Sequence, residues 1–185
     1  MEKNLYFLGL QLPEDLSEVI TAMKEDLAAR YGSRHAMKVP PHVTLVPPVR
    51  AGGEIDALRG MLPGFAAGIR QPQLELDGFG YFSHARDRVI YIPVNLTRAL
   101  DELSEKLLRL AGSVLTLPVS PGGRLFRPHI TLAHRDLTAA AFHLAWPAYR
   151  DRVFRATAPA AGITLFTHDG TRWQVSACYP FAPKI

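Results

Sequence analysis

The sequence PHVTL at residues 41–45 recurs almost unchanged as PHITL at residues 128–132, so that His42 and His129 lie 87 residues apart. Both copies are apolar and contain β-branched residues, which predicts that each forms a short strand. Side chains alternate along a strand, so the histidine and threonine of each copy share one face while the following apolar residues share the other. Each strand therefore presents one imidazole and one hydroxyl together, backed by side chains suited to a core.

A weaker repeat surrounds the two motifs. Residues 5–8 (LYFL) align with residues 89–92 (VIYI), and residues 82–84 (FSH) align with residues 166–168 (FTH), both at a separation of 84. The motif histidines are instead 87 residues apart, so the second half carries about three extra residues before His129. This pattern predicts one strand–helix–strand–helix–strand unit that occurs twice. Duplicated units commonly pack about a pseudo-twofold axis, which would bring the two motif strands to one interface.

Length and composition suit one compact domain, or two small lobes that fold together. With the repeat, we expect a single domain over residues 1–185 that is built as two intertwined lobes. Hydrophobic residues make up 48% of the chain and charged residues 21%, which is typical of a globular protein. No apolar run reaches membrane-spanning length, and residues 1–12 resemble a first strand more than a signal peptide. The only cysteine, Cys178, excludes an internal disulfide, and we expect it in the core. We therefore expect a cytoplasmic monomer without membrane contact.

The net charge of +4 favours anionic ligands such as phosphates or RNA, although a merely soluble basic surface explains the charge equally well.

Apolar spacing, prolines and glycines predict the remaining elements. The proline pairs at residues 40–41 and 47–48 are expected to begin and end the first motif strand, and Pro147 to shorten the last helix. Asp169-Gly170 predicts a hairpin between the final two strands. The predicted helices cover residues 13–32, 54–68, 97–112 and 138–150. The predicted strands outside the motifs cover residues 4–12, 73–76, 78–83, 89–94, 152–157, 163–167 and 172–179.

Two histidines can form part of a metal site or an acid/base pair. Zinc needs at least three protein ligands, and no Asp or Glu lies within three residues of His42 or His129. The other histidines show no ligand spacing; they are His35, His84, His134, His143 and His168. Acid/base chemistry without a metal or cofactor is therefore the better interpretation, because imidazole titrates near neutral pH. Thr44 and Thr131 can donate hydrogen bonds to charge that develops on phosphate oxygens.

Two arginines and several aromatic residues are further candidates for substrate binding. Arg127 and Arg135 flank the second motif and can grip a phosphate with two hydrogen bonds each, or they are solvated charges at a strand end. Five aromatic residues can stack on a base or pack in the core, and we favour the core for most of them. They are Tyr6, Phe7, Tyr81, Phe82 and Tyr91.

Paired H-x-T-[apolar] motifs in a duplicated chain resemble those of the 2H phosphoesterase superfamily. Within it, this chain is similar to the bacterial and archaeal RNA 2',3'-cyclic phosphodiesterases, historically called 2'-5' RNA ligases. The similarity includes residues 42–45, 127–132, the strand at 89–94 and the strand at 163–166. It departs from the family pattern after the motifs, where residues 46–48 (VPP) replace an aromatic and a glycine and where His134 precedes Arg135.

The resemblance implies an α+β, bilobal, pseudo-twofold fold in which two antiparallel sheets line a central cleft and the helices lie outside. It implies metal-free hydrolysis of a 2',3'-cyclic phosphate, on RNA ends or nucleotides, to a 2'-phosphate. One of His42 and His129 would activate water and the other would protonate the leaving ribose oxygen, while Thr44 and Thr131 would hold the phosphate. The alternatives are 2'-5' RNA ligation, another cyclic-phosphate nucleotide as substrate, or a non-catalytic module that binds RNA or nucleotides.

Overall fold

The two motif strands lie at the edges of different antiparallel sheets. The computed structural model describes residues 4–83, 88–119, 122 and 125–182. Its helices are α1 (Glu14–Tyr31), α2 (Glu54–Ala67), α3 (Arg98–Gly112) and α4 (Ala139–Arg150), with a short 3-10 turn at His35–Lys38. Its strands are β1 (Asn4–Gln11), β2 (His42–Ala51), β3 (Gln73–Asp77), β4 (Gly80–Ser83), β5 (Arg88–Pro93), β6 (His129–Ala133), β7 (Arg155–Pro159), β8 (Gly162–His168) and β9 (Trp173–Pro180).

The first sheet has the strand order β2-β1-β8-β9, the second has the order β4-β5-β6, and β3 pairs with β7 in a two-stranded ribbon. The strands within each sheet pair antiparallel. An isolated bridge between Leu76 and Val94 joins the ribbon to the end of β5. The first motif lies on β2 and the second on β6, and these two edge strands pack against each other. The predicted α+β class with antiparallel sheets is therefore confirmed.

Strand exchange between the two halves follows the repeat. β3 and β7 are equivalent strands, and they pair with each other so that Leu74 lies opposite Ala158, 84 residues further on. β4 from the first half pairs with β5, and its equivalent β8 from the second half pairs with β1. Each half therefore completes the sheet of the other, which explains why two halves of this size share one hydrophobic core.

Alternation along the motif strands is as the sequence predicts. Val43, Leu45, Ile130 and Leu132 are completely buried in the core, where both sheets contribute side chains. Burial of aliphatic side chains stabilises the fold by about 1.5–3 kcal/mol for each residue. The histidine and threonine of each motif are only partly buried on the opposite face.

The prediction that residues 47–48 end the first motif strand is wrong. β2 continues to Ala51, and Val49 still pairs with Tyr6 after a register shift in β1–β2. Proline has no N–H to give to a neighbouring strand, and this is tolerated because β2 is an edge strand.

Pro147 does not end the last helix either, because α4 continues to Arg150. The turn after the proline is held by Tyr149, which is completely buried and donates a hydrogen bond to Asp26 of α1 at 2.8 Å. Tertiary packing therefore outweighs the local cost of the proline. The last helix is followed by an irregular segment, so β7 begins at Arg155 rather than at the predicted residue 152.

Cys178 is exposed, so its predicted position in the core is wrong. It lies on β9, the other edge of the first sheet, where most side chains face solvent. The predicted hairpin at Asp169-Gly170 is confirmed, since it joins β8 to β9 and Gly170 adopts a positive φ of 100°. Within the described ranges, no helix combines the length and the apolar character needed to cross a membrane.

Candidate active site

A cavity of about 430 Å³ opens beside the two motif strands. His42 and Thr44 of β2 line it together with Thr131 of β6, so the structure brings three of the four predicted catalytic side chains to one space. His129 does not line this cavity, but its charge lowers the pKa of His42. In the part of the chain that the structure describes, neither threonine hydroxyl has a hydrogen-bond partner, so both are available to a ligand.

The two motif histidines are held in the same way. The Nδ1 atom of His42 lies 2.8 Å from the carbonyl oxygen of Pro40, and Nδ1 of His129 lies 2.7 Å from that of Arg127. A carbonyl oxygen can only accept a hydrogen bond, so Nδ1 of each ring carries the hydrogen. Nε2 is then the nitrogen that can exchange a proton with a substrate, and both rings are locked in the tautomer suited to acid/base work.

Stacked aromatic pairs support both imidazoles. Phe7 stacks on Phe166 with ring centroids 4.3 Å apart, and the ring of His42 lies 4.7 Å from Phe7. Phe7 is buried and packs against the histidine, and it also lines the cavity. This contact fixes the plane of the imidazole.

The equivalent pair on the other half is Phe82 and Tyr91, which also stack at 4.3 Å. The ring of His129 lies 5.2 Å from Phe82 and 5.1 Å from Tyr91. Of the other aromatic candidates, Tyr6 is buried, whereas Tyr81 is exposed and packs on Trp146. The repeat thus extends from the motifs to the side chains that position them.

Burial is the main reason that the pKa of His42 falls to about 4. The contact with the carbonyl of Pro40 raises the pKa in part, while the charges of Lys24, His129 and His134 lower it further. An imidazole with this pKa is neutral at pH 7. His42 can therefore accept a proton there.

Lys24 is a residue that the motif analysis missed. It is buried on α1, and its Nζ donates hydrogen bonds to the carbonyl oxygens of Ala36 at 3.2 Å and Val39 at 3.0 Å. Burial lowers the pKa of its ammonium to about 8. The side chain holds the segment that leads into His42. The sequence did indicate its burial, because position 24 lies on the same helix face as the buried positions 20, 23 and 27.

The two predicted substrate-binding arginines differ in position. Arg135 lines the cavity beside His134, whereas Arg127 is exposed and does not line it. Arg127 contributes instead through its backbone carbonyl, which holds His129.

The cavity is also lined by residues to which the sequence assigned no role in the reaction. Three additional histidines line it together with a lysine, a threonine and a tryptophan; they are His35, His134, His168, Lys38, Thr171 and Trp173. His84, another histidine considered from the sequence, lies outside the described residues. Among the residues described, no group of three or more His, Cys, Asp or Glu side chains is arranged to hold a metal ion.

Comparison with known proteins agrees with the geometry. The family model described as the 2'-5' RNA ligase superfamily matches residues 12–172. A comparison with curated proteins found no match.

Three solved structures illustrate the similarity of the fold. Apo LigT from E. coli is 22% identical, with a TM-score of 0.66 and coverage of 98% of this chain and 99% of LigT. TT0787 from Thermus thermophilus is 21% identical, with a TM-score of 0.71 and coverage of 98% and 100%. E. coli LigT complexed with 3'-AMP is 22% identical, with a TM-score of 0.68 and coverage of 97% and 99%.

Proposed function

Because this chain belongs to the 2'-5' RNA ligase superfamily, we propose that it hydrolyses 2',3'-cyclic phosphates of RNA ends or nucleotides to 2'-phosphates by two-histidine acid/base catalysis. The observation that carries the proposal is the equivalent mounting of His42 and His129, each held at Nδ1 by a backbone carbonyl. Two imidazoles that present Nε2 are the minimum set for a reaction with one proton to remove and one to supply.

The reaction needs one role for each histidine. His42 is neutral at pH 7, so it takes the proton from the attacking water as the oxygen bonds to phosphorus. His129 gives a proton to the 3'-oxygen of the ribose as its bond to phosphorus breaks. The product is a 2'-phosphate with a free 3'-hydroxyl, and a proton passing from His42 back to His129 through solvent restores the starting state.

Thr44 and Thr131 donate hydrogen bonds to the phosphate oxygens that do not leave. Both hydroxyls line the cavity beside the motif histidine His42. Charge increases on these oxygens as water attacks, so the two donors stabilise the transition state more than the substrate. The 3'-AMP complex of E. coli LigT supports a ribonucleotide ligand for this fold.

The test is turnover of adenosine 2',3'-cyclic phosphate and of RNA with a cyclic-phosphate end, in the presence of EDTA. We expect His42→Gln and His129→Gln each to lower kcat/KM by about 100- to 10,000-fold, because each removes one proton transfer. His143→Gln, an exposed histidine on α4, is the matched control and should retain full activity. Full turnover in either motif variant would refute the two-histidine mechanism, and loss of activity with EDTA would favour a metal-dependent one.

The threonine variants Thr44→Val and Thr131→Val test the phosphate contacts. We expect each to lower kcat by about 10- to 1,000-fold, because valine keeps the shape of threonine but removes the donor. Circular dichroism would check that both variants remain folded. Unchanged kcat in both variants would exclude the hydroxyls from the transition state.

The second candidate reaction is 2'-5' ligation, which the family name favours. A ribose hydroxyl would then replace water as the group that loses its proton to His42. Incubation of cyclic-phosphate RNA with an acceptor RNA that has a 5'-hydroxyl separates the two reactions, because ligation produces a longer strand.

If the protein is instead a non-catalytic module that binds RNA, neither hydrolysis nor ligation of the cyclic phosphate should be observed. Under that alternative the histidine variants would bind RNA as well as the unmodified protein does.

A further inference from the structure

The cavity is larger than the reacting phosphate requires. Its volume of about 430 Å³ lies in the range of pockets that hold whole small ligands. The motif side chains His42, Thr44 and Thr131 account for only part of its lining, and the proposed reaction leaves the rest without a role.

The rest of the cavity lining includes two cationic side chains. Lys38 ends the 3-10 turn before β2, and Arg135 follows β6. In the described part of the chain, neither side chain makes a hydrogen bond or an ion pair. Two such charges at one cavity repel each other, and an anion between them would relieve that repulsion.

The nearby carboxylate of Asp136 already accepts hydrogen bonds from the segment at the start of the 3-10 turn. It accepts hydrogen bonds from Ser33 Oγ at 2.9 Å and from the N–H groups of Arg34 and His35, both at 2.8 Å. These bonds anchor the 3-10 turn to the segment after β6. They bring Lys38 and Arg135 to the same cavity from distant parts of the chain.

The backbone at Arg135 is held in an unusual conformation. Its φ is 59°, and it is the one described residue other than glycine with a positive φ. The N–H of Asp136 donates to the carbonyl oxygen of His134 at 2.7 Å, which closes a tight turn around Arg135. Such strain persists where the surrounding structure enforces it, often at ligand sites. The turn places His134 and Arg135 side by side on the cavity.

Neutral imidazoles complete this part of the lining. The rings of His35 and His134 lie 4.9 Å apart, edge to face. Burial lowers the pKa of His134 to about 4 and is also the main reason that the pKa of His35 is lowered. Neutral imidazole still donates one N–H, so both rings can bind an anion without adding charge to the site.

We propose that Lys38, Arg135, His35 and His134 form a second anion subsite for a phosphate other than the cyclic one. The proposal rests on the proposed function and names its substrate class. The preferred substrate carries a phosphate on the 5'-oxygen of the nucleoside whose cyclic phosphate reacts. The end of an RNA chain has such a phosphate, whereas a nucleoside 2',3'-cyclic phosphate does not.

Calorimetric binding tests the subsite without turnover. We expect adenosine 3',5'-bisphosphate to bind about tenfold or more tightly than adenosine 3'-monophosphate, because hydrogen bonds between a cation and a phosphate are stronger than those between neutral groups. Lys38→Met should remove most of this preference and leave affinity for the monophosphate unchanged, and Lys38→Arg should retain it. Lys106→Met, on the exposed face of α3, is the matched control for the loss of one positive charge.

Kinetics provides the second test. Adenosine 2',3'-cyclic phosphate with a 5'-phosphate should show a KM about tenfold lower than the same compound without it, and Lys38→Met should equalise the two. Added salt should reduce this difference in KM, because ions screen the attraction between exposed charges; the screening length is about 10 Å in 0.1 M salt.

The outcomes separate the two proposals. Hydrolysis of both compounds with equal KM, or equal binding of the two adenosine ligands, overturns the subsite and leaves the proposed function intact. Tight bisphosphate binding that depends on Lys38, without hydrolysis of either compound, supports the subsite and refutes the proposed function. An equal loss of bisphosphate affinity in Lys38→Met and Lys106→Met also overturns the subsite, because the effect would then come from overall charge.

Discussion

The buried ammonium of Lys24 should make stability depend on pH in the alkaline range. Burial lowers its pKa from 10.5 to about 8. A tenfold change in a proton equilibrium corresponds to about 1.4 kcal/mol, so this shift corresponds to about 3 kcal/mol. Below pH 8 the lysine is protonated in both states, and the folded protein carries the full cost of the buried charge.

As the pH rises above 8, the folded state releases its proton while the unfolded chain still binds one. The unfolded state then binds more protons, so the free energy of unfolding increases with pH until about 10.5. We expect this gain to reach about 3 kcal/mol relative to the Lys24→Met variant, which has no proton to release.

At neutral pH the same substitution should change stability little. Methionine removes the buried charge but leaves the carbonyl oxygens of Ala36 and Val39 without their donor. Each lost partner costs about 1–3 kcal/mol, which offsets the gain from losing the charge. The pH dependence, rather than the stability at one pH, is therefore diagnostic.

The assay is urea unfolding, followed by tryptophan fluorescence, at intervals from pH 7 to 10.5. Differences between the unmodified protein and Lys24→Met cancel the titration of other groups. Lys106→Met, which lacks an exposed lysine, controls for the loss of charge. Parallel stability curves for the unmodified protein and Lys24→Met would refute the reasoning, because they would mean that Lys24 titrates alike in the folded and unfolded states.

Three further predictions concern the site and its supporting elements. His42 should titrate near pH 4 by NMR, because its ring is desolvated in the folded state. As the pH falls below 6.5 the unfolded chain takes up a proton that the folded protein does not, so the free energy of unfolding should decrease. A titration midpoint near 6.5 would contradict the desolvation of the ring. Gly9→Ala should destabilise the protein by about 1–3 kcal/mol, because its Cβ would lie 2.7 Å from the carbonyl oxygen of Val43; unchanged urea unfolding would show that β1 and β2 separate easily. Thr138→Ala should cost about 1 kcal/mol, because its side chain accepts a hydrogen bond from the N–H of Ala141 at the start of α4; an unchanged thermal midpoint would argue against that cap.

Local patterns were sufficient for most elements and for the orientation of the motifs. The burial of Val43 and Ile130 follows from strand alternation alone, because successive side chains must point to opposite faces. The cap of α3 is likewise local, because the side chain of Thr97 accepts a hydrogen bond from the N–H of Leu100. The hairpin at residues 169–170 needs only a turn that accepts a positive φ.

The errors arose where the outcome depended on neighbours distant in sequence. Residues 47–48 remain in a strand because β2 is an edge, and no local pattern shows which strand is an edge. Pro147 remains in a helix because Tyr149 reaches α1. Cys178 was predicted in the core, but it is exposed because β9 is the edge strand of its sheet and most of its side chains face solvent. The cytoplasmic location and the monomeric state stay predictions.

The repeat, the two His-Thr pairs and the face that each pair occupies follow from the order of the residues, because side chains alternate along a strand with a period of two. What surrounds these pairs depends on how distant elements pack. Lys38 and Arg135 each lie close in sequence to one motif, but only the packing of a turn beside a strained loop brings these two cations to the same cavity. The packing of α1 likewise places Lys24 against the segment that leads into His42. Burial also sets the pKa of His42, because the desolvation of a ring depends on every element packed around it.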